Sequence, residues 1–527
     1  PPLFHAEDGI RDRQARLVGS EMCIRDRPIT FWNNCNQWDP QIMEAKVYLV
    51  GAGPGDPGLI TIRGKQCIEN ADVIIYDYLA SPALLNYAQN HAEIIYVGKK
   101  GGDHTLSQDK INALIVEKAK AGSMVCRLKG GDPFIFGRGG EEAEILVSKT
   151  IPFEVVPGVT SAIAAAAYAG IPLTHRKLTA TLAFITGHED PHKKESRIDW
   201  ESLARGIGTL VFFMGVKNLP DITQKLIANG RSPETPVALI RWGTTPGQTT
   251  VTGTLDNIAE RAKKAALKPP AIIVVGEVVQ LRNTLKWFEK RPLLGKRIVV
   301  TRARQQASDL VRRLSHLGAE CLEFPTIKVV PINDAAPLDN AVQNLATYDW
   351  ILFTSVNGVK FFFDHLFGMN KDVRALNPLH TAAIGPATAE KLFEYGLKSD
   401  IIPQNYRAEA VVDAFRKIPL EGKKILLPRA KEARPVLPVE LRKMGAEVDE
   451  VTAYLTEKVR ANTDQLIKRL EEKTIDLITF TSSSTVQNFK DLLPPNNFKQ
   501  LIKGITIASI GPITTCLLYT SPSPRDS

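Results

Sequence analysis

The chain is expected to be an α/β protein in two parts, the second of them internally duplicated. Three observations predict this. β-Branched runs alternate with stretches of helical spacing from Lys46 to about Leu285, a glycine-rich turn directly follows the first such run, and the remainder repeats itself from Gly295 to Gly422, a shift of 127 residues. The 527 residues, 44% hydrophobic and 23% charged, suit three or four globular units at about 150 residues each. A surplus of 66 Lys and Arg over 57 Asp and Glu is spread without a polybasic block, which argues against a nucleic-acid binder and fits an acidic small substrate. No apolar run reaches the roughly 18 residues of a membrane span, and no leader pattern is evident, so a cytoplasmic, membrane-free protein is expected. Cys23, Cys35, Cys67, Cys126, Cys321 and Cys516 form no C-x-x-C pair, and His104, His175 and His188 lack ligand spacing, so neither disulfide nor metal is expected.

Residues 1–43 carry the echo GIRDR and CIRDR without any sustained period, and 516–527, CLLYTSPSPRDS, are equally unlike the rest. Both ends are set aside as non-native or disordered, leaving expected domains at 44–290 and 291–515.

The first element is the strand KVYLV at Lys46–Val50, which enters GAGPGDPG at Gly51–Gly58; LITIRGKQCIENAD then has helical spacing. Asp56 occupies the third glycine of a dinucleotide fingerprint, and no Gly-Lys-Ser/Thr follows, so neither an NAD site nor a P-loop is expected. Next comes VIIYDYLAS, with Asp77 and Tyr78 at a strand end, then IIYVGKK with Lys99. RLKGGDPFIFGRGGEE places Gly130, Gly131 and Asp132 in a turn, with Glu141, Glu142 and Glu144 opening a helix whose dipole favours them. PGVTSAIAAAAYAGIPLTHR puts Thr160 and Ser161 at a helix start ahead of an alanine run suited to close packing.

These motifs, with TGH, FMG and WGTTPGQ in the same order, resemble uroporphyrinogen-III C-methyltransferase of the tetrapyrrole methylase family over roughly 44–285. The resemblance implies a two-lobed methylase fold and two S-adenosylmethionine-dependent methylations of uroporphyrinogen III, giving precorrin-2 for sirohaem or cobalamin. It carries Pro54, Gly130, Gly131, Asp132, Ile135, Thr160, Ser161, Met214 and Gly243 over as the S-adenosylmethionine site. Orienting two reactants and removing a proton is the chemistry such a site needs. Asp77 is the expected proton acceptor and Lys99 the proton donor or carboxylate partner; a loop-capping Asp and a solvated Lys are the plain alternatives. His175 and Arg176, beside Lys177, are expected either to bind substrate carboxylates or to form an exposed basic loop.

The second half restarts at RPLLGKR. GKRIVVTRA matches GKKILLPRA, LGAE matches MGAE, and DWILFTSVNGV matches DLITFTSSSTV, which predicts two copies of one α/β unit and two lobes. Over roughly 293–515 this half resembles uroporphyrinogen-III synthase, which implies cofactor-free cyclisation of hydroxymethylbilane with inversion of ring D. Thr354, Ser355 and Asn357, and Thr481, Ser482 and Ser483, sit at strand ends able to hold carboxylates or simply to cap helices. Tyr454 matches a tyrosine that the family suggests assists loss of the ring D hydroxyl, and Arg302 and Arg429 occupy equivalent repeat positions. The second copy stops at about Thr515, before the helix that follows Gly385-Pro386 in the first, so the synthase half is expected to be C-terminally incomplete and poorly stable.

The expected whole is a bifunctional enzyme acting on tetrapyrroles, dimeric through its methyltransferase half as the resemblance implies. Its rivals are a methylase of a later corrinoid or of RNA, and a C-terminal half that binds tetrapyrrole without catalysis.

Overall fold

A computed structural model describes residues 46–98, 106–188, 198–302, 304–405, 407–433, 435–459, 463–480, 483–494 and 498–509. Two compact units meet in sequence between Lys290 and Arg291. No helix among the described residues is long and apolar enough to cross a membrane.

The first unit begins with a parallel sheet of β1 (Val47–Gly51), β2 (Val73–Tyr76), β3 (Glu93–Tyr96), β4 (Val125–Lys129) and β5 (Phe153–Val156), ordered β3-β2-β4-β1-β5. β1 is buried along its whole length because helices cover both faces, which is why its sequence is a continuous apolar run. On one face Leu49, Ile75 and Val125 pack against helices Gln108–Lys120 and Gly139–Ser148; on the other Val50, Ile74 and Leu128 pack against helix Ile62–Asn70. The chain leaves β1 towards β2 over one face and leaves β4 towards β5 over the other. Neighbouring strands whose connections part in this way leave a crevice at their carboxyl ends, the usual ligand position of an open α/β sheet.

The second sheet is mixed: β6 (Leu182–Thr186), β7 (Thr209–Phe213), β8 (Pro236–Arg241), β9 (Thr249–Thr254) and β10 (Ala271–Val275) run in the order β6-β7-β10-β8-β9. Helix Ser161–Tyr168 lays Ala162, Ala165 and Ala166 on Val211, Ile240 and Val274, the close packing expected of the alanine run.

The second unit holds two sheets, each with helices on both faces. The first contains β11 (Arg297–Val300), β12 (Glu320–Glu323), β18 (Leu477–Phe480) and β19 (Thr506–Ser509) in the order β12-β11-β18-β19. The second contains β13 (Ile327–Val330), β14 (Trp350–Phe353), β15 (His380–Ala383), β16 (Lys424–Ala430) and β17 (Glu447–Lys458) in the order β13-β17-β16-β14-β15. The two lobes are there, but they are not the two sequence copies. β11 and β12 of the first copy complete their sheet with β18 and β19 of the second, while β16 and β17 of the second copy sit beside β14 and β15 of the first. The order β12-β11-β18-β19 is matched position for position by β17-β16-β14-β15, so the internal repeat is real and its halves are exchanged. Backbone pairing of β13 with β17, and of Val459 N with Thr326 O at 3.2 Å, ties the crossing segments together.

The larger lobe is anchored by Phe353, Phe362 and Phe363, all fully buried. Phe362→Ala is expected to destabilise this unit by about 3–5 kcal/mol, read by equilibrium denaturation of the full chain; a loss under 1 kcal/mol would contradict the packing.

Candidate functional site

The loops after β1 and β4 are joined backbone to backbone: Gly53 N donates to Gly131 O at 3.2 Å and Gly131 N to Gly53 O at 2.7 Å. A Cβ on Gly51 would stand 2.5 Å from the Gly158 backbone, and one on Gly158 would stand 2.3 Å from Gly131 O. Three strand ends therefore converge with no room for side chains, leaving amides and carbonyls to line the crevice. Asp132 locks the arrangement. Its Oδ1 accepts from Phe134 N at 2.8 Å and Ile135 N at 3.1 Å, and its Oδ2 accepts from Gly158 N at 3.0 Å.

Thr160 and Ser161 open their helix as expected; Thr160 makes no capping bond and is buried, and both lie against Gly131. Gly243 abuts that same helix, since its Cβ would fall 2.2 Å from that of Ala165. Asp56, read from sequence only as the residue that breaks a dinucleotide fingerprint, bonds across to the second lobe. Its amide donates to Thr244 Oγ1 at 3.0 Å and its Oδ2 accepts from Tyr168 at 2.8 Å. Thr244 N continues to Gln248, and Gln248 to Glu289, which Arg282 also binds. Burial works against the Glu289 charge, yet the hydrogen bonds from Arg282, Thr250 and Gln248 hold its carboxyl below the usual range.

Gly130, Gly131, Asp132, Thr160 and Ser161 are thus brought together, Ile135 is tied to them through Asp132, Gly243 abuts the same helix, and Pro54 follows Gly53 in the paired loop. Met214 follows β7 in a left-handed conformation and lines a cavity of about 480 Å³ with Phe134, Phe136 and Arg138. Among the described residues, Phe136, Arg138, Met214, Trp242 and Thr244 are non-glycines at positive φ on these loops. Such strain concentrates where a structure holds a ligand. The backbone cradle and the hydroxyl of Thr160 left out of capping fit a nucleoside-bearing sulfonium cofactor.

Asp77 closes a turn after β2, its Oδ1 accepting from Leu79 N at 3.0 Å, and Leu79 rests on Gly130, where a Cβ would come within 2.3 Å. The loop-capping role is therefore present, but Oδ2 faces Arg127 at 3.4 Å and a quarter of the side chain is exposed. Lys99 lies outside the described residues. His175 is held in its own turn: its Nδ1 accepts from Lys177 N at 3.3 Å and its backbone pairs with Thr179, with Arg176 exposed at the tip.

Sequence reasoning missed what lies under Asp77. Glu142 stands in the first turn of its helix as expected, but it is 1% exposed and its Oε1 accepts from Lys129 at 2.8 Å, Gln108 at 3.0 Å and Arg127 at 3.3 Å. The available signal was an Arg and a Lys two residues apart in the strand VCRLK, hence on one buried face.

In the second unit, Ser355 caps helix Val356–Gly368 through Gly358 N at 2.9 Å and also bonds the Tyr454 hydroxyl at 3.0 Å. Tyr454, 8% exposed on β17, stacks on Phe361 beside the bulge at Arg429 and Ala430. Burial pushes its phenol above the ordinary range. Thr354 follows β14 directly and Asn357 lies in the first turn of that helix, both half-buried. Arg429 is buried and pairs with Glu450 at 2.9 Å. Thr481 and Ser482 lie outside the described residues, as does the side chain of Ser483, which begins the helix Ser483–Leu492.

The model of the Tetrapyrrole (Corrin/Porphyrin) Methylases matches residues 46–259, and that of Uroporphyrinogen-III synthase HemD matches 308–518. The chain is 42% identical to the Porphyrin biosynthesis protein HemD of Ruminiclostridium josui, over 84% of this chain and 88% of that one. It is 57% identical to the Uroporphyrinogen-III C-methyltransferase of Priestia megaterium, over 44% of this chain and 98% of that one. A crystal structure of the Thermus thermophilus Uroporphyrin-III C-methyl transferase complexed with S-adenyl homocysteine aligns at 40% identity over 45% of this chain and 99% of that one, with a TM-score of 0.39.

Gly158→Ala is expected to abolish binding of S-adenosylhomocysteine and to destabilise the first unit by about 1–3 kcal/mol, because its Cβ meets backbone and not a movable side chain. Calorimetric titration with a parallel melt tests this, and wild-type affinity would count against the cradle.

Proposed function

The chain belongs to the tetrapyrrole methylase family, with a uroporphyrinogen-III synthase half fused behind it, and from that premise we propose that it cyclises hydroxymethylbilane to uroporphyrinogen III and methylates that product twice to precorrin-2. The observation that carries the methyltransferase reading is the Gly53–Gly131 pairing at the parting of β1 and β4, with the Asp77 turn seated on Gly130 beside it.

S-Adenosylmethionine, when bound, supplies a sulfonium methyl group as the electrophile. Pro54, the Gly130-Gly131-Asp132 turn, Ile135, Thr160, Ser161, Met214 and Gly243 hold it, with backbone groups in place of side chains at the closest approach. The macrocycle lies over the exposed Phe134 and Phe136, whose apolar surface matches its faces. Asp77 accepts the proton that the methylated ring gives up, Lys99 donates a proton or pairs with a substrate carboxylate, and His175 and Arg176 meet further carboxylates.

In the synthase half, Tyr454 gives its proton to the departing ring D hydroxyl, which leaves as water. The hydrogen bond to Ser355 fixes the direction of that hydroxyl, which supports the role. Thr354, Ser355 and Asn357, with Thr481, Ser482 and Ser483, hold the bilane's carboxylates through hydroxyl and amide groups. This half works without a cofactor, and neither half uses a metal. The protein acts in the cytoplasm as a homodimer, binding neither nucleic acid nor membrane.

The test is an anaerobic assay of the full chain with hydroxymethylbilane and, separately, uroporphyrinogen III, each with S-adenosylmethionine, following the precorrin-2 chromophore with isomer analysis. Product from both substrates is expected. Product from uroporphyrinogen III alone would remove the synthase activity, and product from neither would turn the reading to a later corrinoid or RNA. Asp77→Ala is expected to cut methylation about 100-fold or more while retaining S-adenosylhomocysteine binding; wild-type turnover would exclude Asp77.

A further inference from the structure

Asp77 is aimed by its neighbours. Its turn fixes Oδ1, and Oδ2 faces the guanidinium of Arg127 at 3.4 Å. Arg127 is 3% exposed and held in turn: Nη1 donates to Ile75 O at 3.3 Å and Leu128 O at 3.1 Å, and Nε to Glu142 Oε1 at 3.3 Å. Three donors crowd that one Glu142 oxygen, while Oε2 is buried with no hydrogen-bond partner among the described residues. Burial, and then the neighbouring Arg127 charge, pull the Lys129 amine below the ordinary lysine range against the attraction of Glu142.

A buried charge cluster of this kind is a poor source of stability, since apolar residues of the same volume commonly do as well or better. Its position is informative. Arg127 and Lys129 end β4, immediately before Gly130 and Gly131, and the arm of Arg127 crosses to the end of β2, where Asp77 begins its turn. A single side chain thus connects the glycine turn, the last carbonyl stretch of β2 and the carboxylate expected to take the proton.

We propose that Arg127, clamped by Glu142, is a positioning residue for methyl transfer: it holds Asp77 in one rotamer directed at the crevice. The proposal rests on the reading of Asp77 as proton acceptor. A residue that acts through Asp77 becomes idle once Asp77 can no longer take a proton, whereas a merely structural residue costs the same in either background.

The experiment is a double-mutant cycle on the full chain, with kcat and KM measured on uroporphyrinogen III and S-adenosylmethionine, and with melts and S-adenosylhomocysteine titration reporting fold. Arg127→Lys is expected to lower kcat about 10- to 100-fold with KM for S-adenosylmethionine held within about 3-fold, yet to lower kcat less than about 3-fold in the Asp77→Asn background. Glu142→Gln, which keeps the volume and an acceptor for Lys129 while removing the charge, is expected to show the same background dependence and decides the matter where Arg127→Lys does not fold. Equal losses in both backgrounds, wild-type kcat in the folded variants, or loss of fold in both would overturn the proposal. Asp77→Asn alone at wild-type kcat would identify the reading of Asp77 as the part that failed, and the proposal would fall with it.

Discussion

The first unit depends on a place where three backbones touch. Gly51, Gly131 and Gly158 approach until no side chain fits between them, and the pairing of Gly53 with Gly131 bridges the loops at the parting of β1 and β4. Every other part of that site is fitted to this contact. Asp132 binds the third strand end to it, Leu79 leans on Gly130 and so places Asp77, and Asp56 reaches from the same loop to Thr244 and Tyr168. The glycines are required by proximity, and the polar residues around them hold the chain where that proximity is possible.

The two units present their polar groups by different means. The first offers backbone at a crevice, beside a hollow lined by Phe134, Phe136 and Met214 together with Arg138, Glu141 and Glu144. The second offers side-chain hydroxyls at strand ends, with Tyr454 and Ser355 joined on neighbouring elements and braced by Phe361. In both, the groups assigned to proton movement sit where burial or a fixed partner limits their freedom.

Much of this was legible in the chain itself. Strand runs, the glycine turn and the alanine helix are local signals, and their residues stand where the spacing put them. What escaped was non-local. Glu142 looks like any acid in a first helical turn, and only the packing of helix Gly139–Ser148 on β4 turns it inward to Arg127 and Lys129. Asp56 looks like a turn residue until Tyr168, distant in sequence, is found to donate to it. The repeat revealed a duplication but could not reveal that the copies exchange halves, because sequence similarity records which strands are alike and not which pair.

That exchange bears on how the chain is made. β11 leaves the ribosome long before its partner β18, since Arg297 and the Asp476 that receives its amide are 179 residues apart. At roughly 5–20 residues per second the wait is on the order of ten to forty seconds. During it β11 and β12 have an unfilled edge, while the intervening strands β13 to β17 already possess all their own partners. The inserted lobe can therefore mature first and hold the two ends of the outer one together, so that assembly of this unit proceeds from its middle outward and not from its amino end.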